Sequence, residues 1–124
     1  ENKETTIIDG RNWRVIYVRD DWINISGFTV QNCGNTTGDA GIYITSSNNT
    51  ISNNIIMLNN WTGIWMLGHN SNYNTISDNI VFNSRIGIGV SSGAYNIISN
   101  NNISHQIEGV RLASSSNNTV IGNN

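Results

Sequence analysis

At 124 residues, with a net charge of -2 and 11% charged side chains, the chain is one domain, without the basic field that holds nucleic acid. No apolar run nears the ~18 residues that span a bilayer, and Cys33 stands alone, which excludes an internal disulfide. Surface polarity comes instead from 24 asparagines and many serines and threonines.

The opening Glu1-Asn2-Lys3-Glu4 carries neither Met nor a signal peptide and reads as a processed or excised segment. Residues Glu1 to Thr6 are charged enough to shield one end of the domain, but too few to form a covering helix. Ile7-Ile8-Asp9-Gly10 and Val15-Ile16-Tyr17-Val18 then alternate as short strands of a shortened first coil. Ile23 to Asn32 continues the pattern, and Asn35 to Ala40 interrupts it as an insertion expected to emerge as a loop. From Gly41-Ile42-Tyr43-Ile44 the chain repeats itself, restarting at Gly63 after 22 residues, at Gly87 after 24 and at Gly109 after 22. Each restart is followed by a second phrase, at Asn49-Thr50-Ile51, Asn74-Thr75-Ile76, Asn96-Ile97-Ile98 and Asn118-Thr119-Val120. Gly68 to Tyr73 is a second, shorter insertion. Self-similarity at such a period marks a stacked repeat architecture.

Superposed, the repeats give four aliphatic columns expected to face inward. They are Ile16/Ile42/Ile64/Ile88/Val110, Val18/Ile44/Met66/Val90/Leu112, Ile25/Ile51/Ile76/Ile98/Val120 and Val30/Ile56/Val81/Ile103. Two amide columns, Asn49/Asn74/Asn96/Asn118 and Asn54/Asn79/Asn101/Asn123, are expected to bond to one another along the axis and to satisfy backbone groups at the corners. The fold class that follows is all-β: a parallel β-helix of about five coils of roughly 22 residues, forming one domain over 1–124. Solenoid ends are usually closed by polar capping repeats. The last copy, Asn118 to Asn124, offers none, so further chain or a head-to-tail neighbour is expected there.

These runs, from Ile7-Ile8-Asp9-Gly10 through the Asn-Asn-Thr-Ile repeats, resemble right-handed parallel β-helix repeat proteins. That group includes secreted and surface-layer archaeal proteins, carbohydrate-binding and sugar-hydrolase modules, and the periplasmic copper-processing accessory protein of nitrous oxide reductase. Pectate lyases and mannuronan epimerases are similar at greater distance. The resemblance implies a right-handed coil and an extracellular or cell-envelope location; function depends on whatever site the scaffold carries.

Catalysis on polysaccharides needs carboxylates converging on one groove. The eight acids include Asp20 and Asp21 as sequence neighbours, but no two others occupy equivalent positions of adjacent coils. No enzyme activity is therefore expected in this segment. Copper would need soft ligands, and Cys33, Met57, Met66, His69 and His105 do not share a column; no metal or other cofactor is expected. The outward column between two core columns is more informative: Tyr17, Tyr43, Trp65, Gly89 and Arg111. Aromatic faces on successive rungs are suited to stacking sugar rings, so Tyr17, Tyr43, Trp65 and Arg111 are the expected ligand-binding residues. Six Asn-x-Ser/Thr sequons, at Asn24, Asn35, Asn48, Asn60, Asn102 and Asn117, are candidate glycosylation sites. The expected function is structural and adhesive, with glycans, a cell-surface polymer or another copy as partner. The alternative is the non-catalytic part of a carbohydrate-active enzyme.

Overall fold

A computed structural model describes residues 6–124, so the expected shielding by the charged N-terminus lies largely outside the described residues. Five coils each contribute one strand to each of three parallel sheets. β1 (Ile7–Asp9), β4 (Thr29–Gln31), β7 (Ile55–Met57), β10 (Ile80–Phe82) and β13 (Asn102–Ser104) form the first sheet. The second contains β2 (Ile16–Val18), β5 (Ala40–Ile44), β8 (Thr62–Leu67), β11 (Ile86–Ser91) and β14 (Glu108–Ala113). The third contains β3 (Asn24–Ser26), β6 (Thr50–Ser52), β9 (Thr75–Ser77), β12 (Ile97–Ser99) and β15 (Thr119–Ile121). This is the expected right-handed parallel β-helix.

The register reproduces the four aliphatic columns, pairing Ile42 with Ile64, Ile44 with Met66, Ile51 with Ile76 and Ile56 with Val81. In the middle coils these side chains are wholly buried and form one continuous core. At the last coil Leu112 and Val120 keep their register but are exposed.

Strands this short can stack only if the chain turns sharply three times per coil. Each corner uses a residue with positive φ, as in Asn48, Tyr73 and Tyr95 before the third sheet, Asn53, Asp78 and Asn100 after it, and Asn32, Leu58 and Asn83 after the first. A left-handed residue breaks the ladder and frees backbone groups, and the next residue inward answers them. Asn74 Oδ1 accepts from both the backbone N–H and the side-chain amide of Asn49, at 2.9 and 3.0 Å, while Asn74 Nδ2 donates back to Ser46 O. Asn79 does the same for Asn54, and donates to Ile51 O and Asn101 Oδ1. The third corner has an amide set that lacks a sequence repeat: Asn59 accepts from the Cys33 N–H, and Gln106 from the Ser84 N–H.

The restart glycines have a steric cause. A Cβ on Gly63 would lie 2.6 Å from Gly87 O and 2.9 Å from Val81 Cγ1. Gly63→Ala is therefore expected to cost about 3 kcal/mol, because backbone and core must both shift. At Gly89 an added Cβ would meet nothing closer than 3.8 Å, so Gly89→Ala should melt within a degree or two of wild type. Thermal unfolding followed by circular dichroism separates the two; equal melting temperatures would contradict the close-approach account of Gly63.

Candidate functional site: a cleft on the outer face of the second sheet

The alternation of β2, β5, β8, β11 and β14 sets Tyr17, Tyr43, Trp65, Gly89 and Arg111 side by side in consecutive rungs. The column is as expected, but an open three-ring platform needs correction. Tyr17 and Tyr43 meet edge to face, with centroids 5.1 Å apart and planes at 68°. The Arg14 guanidinium lies 3.9 Å from the Tyr43 ring centre and donates to Gly38 O at 3.2 Å. Tyr43 is consequently only 8% exposed. Its hydroxyl pKa is pushed up by burial, with the Arg14 charge opposing. Arg14 is long and flexible, and the inserted loop gives it an anchor, so the cover could not be read from the strand pattern.

That inserted loop is closed by Asp39, whose carboxylate accepts from the Thr36 N–H and hydroxyl. It brings Thr37 to the wall of a cleft of about 230 Å³. Gly89 has no side chain, and the gap left between Trp65 and Arg111 is the cleft. Trp61, Thr62, Ile86 and Ser91 complete much of its lining. Trp65 is half-buried, with its Cδ1 3.8 Å from where a Gly89 Cβ would sit. Trp61 carries the Arg85 guanidinium 4.6 Å from its ring centre. Its indole N–H and the hydroxyl of the wholly buried Thr62 have no hydrogen-bond partner. Arg111 makes a 3.7 Å ion pair with Glu108, both side chains being well exposed.

Sequence reasoning missed Thr37, Trp61 and Thr62. Asn60 adds a residue ahead of β8 that has no counterpart ahead of β11, and this obscures the alignment of Trp61 with Arg85. It also missed Tyr73 and Tyr95, which stack in parallel at the corner before the third sheet, centroids 5.1 Å apart and planes at 5°. The signal was their shared place immediately before an Asn of the ladder.

Among the described residues the acids do not converge on this cleft. Asp9 accepts from Gln31, Asn32 and the Arg11 N–H, bonds that hold its carboxyl below the usual range, and Asp21 accepts from the Ser47 N–H. Among the sequons, Asn24, Asn35, Asn102 and Asn117 are exposed. Asn48 is a half-buried corner residue, and Asn60 is exposed while donating to Cys33 O.

The soft donors are scattered. Cys33 is fully buried, its thiol 3.2 Å from Gly34 O, and burial pushes its pKa up and away from the thiolate that binds metal. Met66 is a core side chain, His69 is exposed in the loop after β8, and His105 follows β13, separated from the coil of Met57 by that of β10. Among the described residues no three of His, Cys, Asp and Glu gather in a metal-binding group. These residues do not fit a copper centre.

One protein-family model, described as NosD: Periplasmic copper-binding protein (NosD), matches residues 1–124. No curated protein and no solved structure matches the chain.

Proposed function

The chain belongs to the NosD family, and from that premise we propose that it is a non-catalytic β-helix outside the cytoplasm, whose second-sheet cleft holds a saccharide ring. The family description supports the periplasmic side of the cell envelope as its place. The copper in that description finds no matching donor set among the described residues, and no step is assigned to it. The observation that carries the reading is the half-buried indole of Trp65 beside the open floor at Gly89. An indole face offers a sugar ring an apolar partner, while Thr37, Ser91 and Arg111 offer polar ones at the edges. Tyr17 and Tyr43 then serve as the wall behind Arg14 rather than as stacking faces.

The test is a glycan array followed by calorimetric titration of the oligosaccharides retained. Trp65→Ser is expected to keep the wild-type circular dichroism spectrum and to weaken binding by about tenfold or more. Full binding by the folded variant would contradict the reading.

Self-association belongs to the same proposal. A polypeptide of these 124 residues exposes Leu112, Val120 and Ile121 on its last coil, beside backbone groups able to template another strand. Sedimentation velocity across concentration is expected to show growing end-to-end species; a monomer at every concentration would contradict it.

A further inference from the structure

We propose that the cleft selects an anionic saccharide, a sugar ring carrying a carboxylate or a sulfate ester, and that Arg111 reads the charge. This rests on the saccharide reading above and adds the class of sugar. The cleft lining contains Arg111 and no Asp or Glu. The Arg111 side chain makes no hydrogen bond among the described residues, and its one ion pair is long and solvated, a geometry that contributes little. A guanidinium has five N–H donors and no acceptor, so most of that fork is free. The Trp61 indole N–H and the Thr62 hydroxyl also lack a partner among the described residues, but both atoms are buried behind the wall and are not among the groups open to a ligand. Arg85 lies against the ring of Trp61 but is not a lining residue, so Arg111 is the one cation in the lining.

A largely free guanidinium in a lining that holds no acid asks for a ligand rich in acceptors and negatively charged. The protein as a whole carries a net charge of -2, so this positive rim is a local feature and not a general basic surface. The volume, about 230 Å³, is below the roughly 300–1,000 Å³ of pockets for drug-sized ligands. It suits one ring with its substituents. The face of that ring would lie on Trp65 and its anion at Arg111, on the other side of Gly89. A carboxylate or sulfate presents two or three oxygens to the guanidinium fork, and a charged bond of this kind exceeds a neutral one.

Isothermal titration with four trisaccharides tests this: galacturonate, its methyl ester, neutral galactose and sulfated galactose. The acid or the sulfate is expected to bind about tenfold tighter than the ester and the neutral sugar. The gap should shrink in ~1 M salt, where the Debye length falls to about 3 Å. Arg111→Gln should bring the anion-to-neutral ratio close to one, with Arg111→Lys retaining part of it. The well-exposed side chain makes both variants fold as wild type, checked by melting temperature. Tight binding of the sulfate alone, or of the carboxylate alone, supports the proposal and identifies the anion. Equal binding of all four overturns the charge selection and leaves the saccharide reading standing. Retained selectivity in Arg111→Gln overturns the assignment to Arg111. Binding of none of the four, together with no retention of any glycan on the array, overturns both.

Discussion

Ile98→Asp unfolds the protein at neutral pH, while the same change one residue earlier, Ile97→Asp, leaves it folded. Both lie in β12, but Ile98 is fully buried between Ile76 and Val120, and Ile97 is 44% exposed. Moving one residue along a strand reverses the face. At position 98 a carboxylate has no charged partner among the aliphatic side chains of the core column, and its burial costs about 5 kcal/mol or more, comparable to the whole stability of a small domain. At position 97 the cost is about 1 kcal/mol or less. The buried carboxyl also has a pKa raised above its unfolded value of about 3.9. The variant is therefore least destabilised below about pH 4 and loses stability as pH rises through the folded-state pKa. Urea melts of both variants at acidic and neutral pH check this. Equal midpoints would show that the inward and outward faces are misassigned.

Asn79→Asp is the second large effect, because it changes one atom in the middle of a ladder. The carboxylate still accepts from the Asn54 N–H and amide, but both donations by Nδ2, to Ile51 O and Asn101 Oδ1, are lost. Two oxygens now face the oxygen that replaces the donor, and the charge sits at a position 1% exposed. Unpartnered buried groups cost about 1–3 kcal/mol each, more when charged, which gives a loss of about 4–6 kcal/mol at neutral pH. Protonation restores one donor, so the loss shrinks as pH falls below the raised folded-state pKa. Asn79→Ala also loses the two bonds from Asn54, so it is expected to be strongly destabilised at every pH and to show no such pH dependence. If the Asp variant is as stable at neutral pH as wild type, or gains nothing on acidification, the amide is not the donor that the corner depends on.

The core and two of the three amide columns were legible because their chemistry repeats with the coil. Ile42, Ile64 and Ile88 recur with strand alternation around them, and Asn74 and Asn96 open the same phrase each time. The third corner was not legible, since Cys33, Asn59, Ser84 and Gln106 share a position but not a residue type. Tyr43 was rightly placed outside the core, yet alternation says only which way a side chain leaves the sheet. That Arg14 would lie over it depends on a loop anchor 24 residues away. The cleft itself arises from an absence, the missing side chain of Gly89, and from Trp61 and Thr62, which the extra Asn60 shifts out of simple register. Sequence periodicity reports what each coil has in common. The site lies where the coils differ.

Gly89→Leu places a side chain in the gap that the saccharide is proposed to occupy. The backbone there needs no glycine, and an added Cβ makes only ordinary contacts at 3.8 Å with Ile86 and Trp65. The rest of a leucine side chain would extend into the cleft. The variant is expected to melt as wild type and, titrated with an oligosaccharide retained on the array, to lose binding by about tenfold or more. A folded Gly89→Leu that binds as tightly as wild type would place the ligand elsewhere and contradict the proposal.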